Sequence, residues 1–266
     1  MMMSNFGNLV KSWRAKHGVS QLELAMRCDV SQKHISFLEN GRNRPSLSMV
    51  LTLCEGLNIP LRDRNQMLMT AGFAPQYKES SLDAPELEMV DQALNMILQA
   101  HEPFPAVVMD GGCNLVRANS GALKMLMFLY DVDHVQNLPE DGANLMHNLF
   151  KPDGYRRYVV NWEEVAVKLL RRMQGDVHAL GGNDELQELV DELASYRGVP
   201  RNWRQVAPGD WEVPMMTIDF EKEGHRLSFF TTLATLGTPQ DISLQEIKIE
   251  SFFPADEATS AFFMNS

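Results

Sequence analysis

The sequence predicts an α+β protein built as two modules: an all-α domain of five helices, then a larger domain that combines an antiparallel sheet with several helices. Three observations carry this. Apolar spacing and capping residues divide residues 6–73 into five short helical stretches. A polar, breaker-rich run, Lys78–Pro85, interrupts that pattern. Beyond it, helical periodicity fills the middle of the chain, and β-rich runs separated by turn signals crowd the end. The expected boundaries are residues 6–75, a linker over 76–85, and a second domain over 86–263. With 266 residues, 44% apolar and 22% charged, the chain can build two cores and fits neither disorder nor a fibrous repeat. No apolar run approaches the ~18 residues of a membrane span, and Met1–Phe6 has neither a basic nor an apolar signal region, so the expectation is a soluble, cytoplasmic protein without membrane association. Three cysteines without a CxxC spacing argue against a disulfide framework or a structural zinc.

The net charge of −11 is unevenly spread. Residues 1–78 hold ten Lys/Arg against five acids, whereas the rest of the chain holds 14 against 30. A basic module suited to a polyanion therefore precedes an acidic module with another task.

In the basic module, a first helix from about Phe6 to Lys16 buries Leu9, Val10 and Trp13 and stops at Gly18. Ser20 caps a second helix, with Glu23 at the capping-box position. After a turn at Cys28-Asp29-Val30, Ser31 caps a third helix, Gln32–Glu39, which Gly41 ends. The basic loop Arg42-Asn43-Arg44-Pro45 leads to Ser46, cap of a fourth helix with Met49, Val50, Leu53 and Leu57 inward. Pro60 opens a fifth, carrying Leu61, Met67, Leu68 and Ala71 before Gly72. Cap, helix, tight turn, cap, helix, glycine is helix-turn-helix geometry, in which the second helix enters the major groove with its first residues at base edges. Gln32 and Lys33 occupy those positions, and their side chains suit adenine and guanine edges respectively. Ser36 and Phe37 complete the outward face, where Phe37 can meet a thymine methyl. The stretch Ser20-Gln21-Leu22-Glu23-Leu24-Ala25, then Val30-Ser31-Gln32, Ile35–Arg42 and Pro45-Ser46, resembles the Cro/C1-type (XRE) helix-turn-helix of phage repressors and bacterial regulators. The resemblance implies a phosphate contact for Gln21, base reading by Gln32 and Lys33, and backbone contacts by Asn40, Arg42 and Arg44, with Ser31, Ser36 and Phe37 on the same face. It also implies an Arg14–Glu39 pair of structural role.

In the acidic module a helix reads from Glu86 to His101, followed by a strand at Pro105–Met109, a turn at Asp110-Gly111-Gly112 and a return strand at Leu115–Ala118. Asn119-Ser120 caps a helix through Leu129. Further helices read at about Ala143–Phe150, Tyr155–Gln174 and Glu185–Ala194, and strands at Met215–Phe220, Leu227–Leu236 and Leu244–Phe253. Two strands, helices, then three strands suggest an α+β fold of the PAS-like sort. Ala71–Pro75, His101–Ala106, Ala118-Asn119, Asn161-Trp162, Leu236–Asp241 and Phe252–Asp256 resemble the MmyB-like regulators in order and spacing. That resemblance implies an XRE domain joined to a PAS-like ligand-binding domain that accommodates a fatty acid.

The chain's 17 methionines suit an adaptable apolar cavity as well as a plastic core. The candidate ligand contacts are Met109, Arg117, Asn119, Arg157 and Trp162: an arginine to meet an acidic headgroup, Trp162 either as core or as a stacking surface. Catalysis finds little support. Ser120-Gly121 lacks a GxSxG elbow, Lys124 falls four residues after Ser120 rather than three, and the seven histidines form no HExxH. No metal site and no catalytic residue is expected, and nothing requires haem, flavin or another cofactor beyond a bound fatty acid or similar lipid. The expectation is a non-enzymatic, DNA-binding transcription regulator, a homodimer on a palindromic duplex, whose second domain senses a small apolar ligand. The alternative is a protein-interaction adaptor or antitoxin-like module without ligand-regulated DNA binding.

Overall fold

The structure, a computed structural model, describes residues 2–134, 136, 144–179, 184–205 and 215–265. It divides into two compact units. The first holds residues 2–80 together with Thr238–Gln245 and the described end of a long helix from Asp176.

Five helices build the first unit: α1 (Met2–Lys16), α2 (Gln21–Arg27), α3 (Gln32–Glu39), α4 (Leu47–Gly56) and α5 (Leu61–Ala71). Serine caps fix three of their starts. Ser20, Ser31 and Ser46 accept hydrogen bonds from the N–H groups of Glu23, His34 and Met49, each satisfying a donor that the helix leaves open. The Glu23 side chain turns to Arg27 instead of closing a capping box. The core is one cluster of Val10, Trp13, Leu24, Ile35, Leu38, Val50, Leu53 and Leu68 with their neighbours. At Gly7, α1 passes so close to α3 that a Cβ would lie 2.3 Å from the Glu39 carbonyl oxygen. Residues 76–80, expected to be linker, are held in this unit. Asn65 Oδ1 accepts from the N–H groups of Gln76 and Tyr77, and the Asp241 carboxylate accepts from Ser80 N–H.

The second unit is built around a five-stranded sheet, β1 (Ala106–Met109), β2 (Leu115–Ala118), β3 (Ile218–Lys222), β4 (His225–Ala234) and β5 (Lys248–Pro254), in the order β2-β1-β5-β4-β3. All four pairings are antiparallel, as the two-plus-three strand pattern suggested. The helices are α6 (Glu88–Ala100), α7 (Ser120–Tyr130), α8 (Leu145–Phe150), α9 (Trp162–Ala179), α10 (Asp184–Ser195) and α12 (Glu257–Met264), while a short α11 (Ile242–Glu246) lies almost wholly in the segment that folds with the first unit. The unit as defined by contacts takes α9 up to residue 175.

Several expected elements move. The strand expected from Leu244 begins at Lys248, because Asp241 accepts from Ser243 N–H and turns Ile242–Glu246 into a helix. The strand expected at Met215–Phe220 starts at Ile218. The helix expected over Tyr155–Gln174 is a 3-10 turn, Tyr155–Tyr158, then a break before α9. Asn161 sits in that break, with its side chain donating to the Thr217 carbonyl and accepting from Asp219 N–H. Helix α12, absent from the sequence reading, is capped by Asp256 through Thr259 N–H. Ala143 lies outside the described residues. No described helix is long and apolar enough to cross a membrane.

Candidate nucleic-acid interface and apolar pocket

The first candidate site is the outer surface of α2 and α3. Ala25 and Ile35, 2% and 0% exposed, close the angle between the helices, and Val30 N–H bonds the Ala25 carbonyl across the turn at 2.9 Å. Asp29 takes a left-handed φ of 52° there. With its inner face fixed in this way, α3 presents Gln32 and Lys33 to solvent at its first two positions. One turn on, half-buried Phe37 carries two cations on its ring, Lys33 Nζ at 5.5 Å and the Arg42 guanidinium at 5.7 Å from the centroid. Arg42 N–H bonds the Phe37 carbonyl at 2.8 Å, which holds the loop after the helix against that ring. Ser31, Asn40, Arg42 and Arg44 are exposed on the same stretch. Asn40 donates to the Ser36 carbonyl and accepts from Lys11 Nζ.

Gln21, expected at a phosphate, also has a partner within the unit. Gln21 is half-buried, and its Nε2 donates to Glu39 Oε2 at 2.7 Å. The physical reason is Glu39, whose side chain is fully buried and whose carboxylate needs donors. Arg14 supplies two, from Nε at 2.8 Å and Nη2 at 3.3 Å, and Gln21 the third. The Arg14–Glu39 pair is the one the sequence implied.

The second site is an apolar pocket in the second unit. On strands, alternate residues share a face, so Pro105, just before β1, and Val107 of β1, Ile218 and Phe220 of β3, and Glu250 and Phe252 of β5 all look the same way. Helix α7 supplies Ala122, Met125 and Leu126, α8 supplies Leu145, Met146 and Leu149, and Leu169 and Tyr155 complete the wall. The cavity is about 50 Å³, room for a few water-sized atoms. Two methionines in the wall let it change shape at low cost. Burial raises the Tyr155 hydroxyl well above its ordinary range, and that hydroxyl donates to the Leu145 carbonyl at 2.8 Å. Glu250, 4% exposed, is the charged residue of the wall. Arg172 lies 3.8 Å from its Oε1, an ion pair longer than a hydrogen bond.

None of the five expected ligand residues lines this pocket. Met109 is 1% exposed in the sheet. Arg117 pairs with Asp83 and Asp91. Asn119 is the cap of α7: it accepts from Ala122 and Ala106 N–H and donates to the Leu98 and Phe104 carbonyls, which exhausts its side chain. Next to it Gly121 is required, since a Cβ would meet the Pro103 carbonyl oxygen at 2.3 Å. Arg157 is exposed and lies over Tyr158. Trp162 packs edge-on to Phe150, under the Arg156 guanidinium, with its indole N–H on the Gly198 carbonyl. Sequence reading did not single out the Leu and Phe of the wall or Glu250, whereas two of its cavity-suited methionines, Met125 and Met146, do lie there. Glu250 carried a signal, as a lone acid between Ile249 and Phe252 in a β-rich run.

Among known proteins, residues 10–63 match the helix-turn-helix family model, and residues 90–264 match the model described as the MmyB-like transcription regulator ligand binding domain. Two curated proteins of Archaeoglobus fulgidus, both called uncharacterized HTH-type transcriptional regulators, are similar to the first unit. One is 35% identical over 54 residues, 20% of this chain and 77% of its own; the other is 37% identical over 54 residues, 20% and 76%. Among solved structures, the clp gene regulator ClgR from C. glutamicum is 30% identical, covers 27% of this chain and 90% of its own, and superposes with a TM-score of 0.24. The ligand-binding model spans well over half of the chain and the helix-turn-helix model precedes it. Together they identify a transcriptional regulator with a helix-turn-helix DNA-binding domain and a ligand-binding domain, and the chain belongs to the MmyB-like transcription regulators.

Proposed function

We propose that this regulator binds a two-fold symmetric DNA site as a homodimer and that occupancy of the apolar pocket changes its DNA affinity. The observation that carries the reading is the α3 surface, where Gln32 and Lys33 stand exposed at the start of a helix whose other face is locked into the core. Gln32 and Lys33 read base edges, while Arg42, Arg44 and Ser31 hold phosphates and Asn40 and Ser36 position the loop. Phe37 gathers two cations and offers its ring edge to a thymine methyl. One recognition helix covers few base pairs, and pairing two copies is the usual remedy. The outward face of α6 supports such pairing: Met89 is 82% and Met96 70% exposed, with Ala93 and Ala100 on the same stripe at helical spacing.

Chain connectivity supplies the coupling. Thr238–Gln245 folds as part of the first unit, where Gln245 Oε1 accepts from Leu61 N–H at the start of α5 and Ile242 N–H donates to the Lys78 carbonyl. Within a few residues the same chain becomes β5, which carries Glu250 and Phe252 in the pocket wall. A ligand that prefers one arrangement of β5 therefore biases the segment anchored beside α5. The pocket is PAS-like in being built on one face of an antiparallel sheet under flanking helices, and its lining suits a small apolar ligand. A fatty acid, as the resemblance implied, would need the methionines to move aside. The test is selection of duplexes from a random DNA library by the full-length protein. Enrichment of a symmetric sequence with half-sites about 34–36 Å apart is the expected result. No enrichment would overturn the reading in favour of a protein-interaction adaptor.

A further inference from the structure

The pocket wall contains acceptors and no spare donor. Its side chains are Pro, Val, Ala, Met, Leu, Ile and Phe, plus two polar groups, Tyr155 and Glu250. The Tyr155 proton is already committed to the Leu145 carbonyl, which leaves only the acceptor capacity of its oxygen. Glu250 has its side chain 6% exposed, and among the described residues its one ion-pair partner is Arg172, 3.8 Å away and 31% exposed. Arg172 is not part of the wall. It offsets the carboxylate's charge without occupying its lone pairs. On β5, Glu250 is flanked in register by Val107 on one side and Leu233 on the other, so neither neighbouring strand supplies a polar side chain at its level.

Resting on the reading that this cavity is the ligand site, we propose that it selects compact apolar molecules bearing a hydrogen-bond donor, a hydroxyl or an amine, that donates to Glu250, and that it discriminates against free carboxylates. A ligand hydroxyl or ammonium placed beside Glu250 gains a charge-assisted bond in a dry environment. A carboxylate in the same place finds no donor in the wall and faces a like charge, so it binds only by sharing a proton with Glu250. The small cavity acts in the same direction by favouring short chains. Repulsion against the wrong headgroup is as much a part of this selectivity as attraction to the right one.

The test uses full-length protein labelled with ¹³C at methionine methyls and titrated at pH 7.5 with hexan-1-ol, hexylamine and hexanoate, which share one chain. Met125 and Met146 methyl shifts report occupancy of this cavity. The expected result is that the alcohol and the amine shift both signals with at least tenfold higher affinity than hexanoate, and that Glu250→Gln lowers the amine's affinity and narrows the gap to hexanoate. If hexanoate binds the wild-type protein as tightly as hexan-1-ol, the donor requirement is wrong while the pocket reading stands. If none of the three moves the Met125 or Met146 signals, the pocket reading itself fails and this inference with it. The wild-type comparison decides the matter even if the variant does not fold.

Discussion

Glu39 and Glu250 are both buried carboxylates, 2% and 4% exposed, one in each unit, and their surroundings differ in kind. Glu39 accepts from Arg14 twice and from Gln21 once, and it ties α1, α2 and α3 together. Glu250 sits among Leu, Met and Phe with Arg172 at 3.8 Å. Burying a carboxylate is costly unless donors replace water. In the first unit the replacement is complete and the acid is structural. In the second it is partial, and the unused acceptors face a cavity.

Removing each acid breaks or sharpens that contrast. Glu39→Ala should cost about 3–5 kcal/mol, because Arg14 and Gln21 lose their acceptor at once; urea unfolding measures it, and a loss under about 1 kcal/mol would place Glu39 with ordinary surface acids. The outer face of the same helices is expected to matter for binding and not for folding. Gln32→Ala should relax preference at one base position by about 1–3 kcal/mol, while Arg42→Ala should weaken all sequences alike and reduce the salt slope by about one. Anisotropy against selected and scrambled duplexes at several salt concentrations separates the two.

Cys54 brings pH into the first unit. Burial pushes its thiol up to about 12 from an ordinary 9.0. The folded state thus holds the proton where the unfolded chain loses it. The stability this provides is fully present below about pH 9 and declines as pH rises toward 12, by at most about 1.4 kcal/mol per unit. Unfolding at pH 8 and pH 10.5 should show a larger decline for the wild type than for Cys54→Ala. Met96→Glu, on the exposed stripe of α6, should leave the melting temperature within a few degrees and convert a dimer to a monomer by sedimentation; a wild-type monomer would remove α6 from the account. The smallest effect belongs to Glu250→Gln, expected to change stability by no more than about 1 kcal/mol, because no hydrogen bond to its carboxylate is lost. A loss as large as that of Glu39→Ala would erase the contrast between the two acids.

The helix-turn-helix was legible in the sequence because its determinants are local. Ser20, Ser31 and Ser46 sit at the caps they announce, and the spacing of Ala25, Val30 and Ile35 sets the turn. The Gln21–Glu39 bond was not legible, because the two residues sit on different helices, 18 positions apart. The pocket was not legible. Its wall is drawn from strands and helices that begin at Pro105 and end at Phe252, and each contributes residues that look like ordinary core. Arginines were expected to mark a ligand headgroup, but Arg117 and Arg157 are engaged at the surface, and the polar mark in the cavity is an acid. The same holds for Leu244, whose apolar context reads as strand until Asp241 is seen to turn the chain.

The proposed function turns on coupling between the pocket and the α3 surface. Its most direct test is the dissociation constant of the full-length protein for a duplex obtained by selection, compared between wild type and Ala122→Leu. The added side chain fills the cavity beside Met125 and stands in for a ligand. The variant, melting normally, is expected to differ from wild type by at least fivefold in DNA affinity, the lower end of ordinary allosteric coupling. Equal affinities in two well-folded proteins would contradict it and leave two independent domains on one chain.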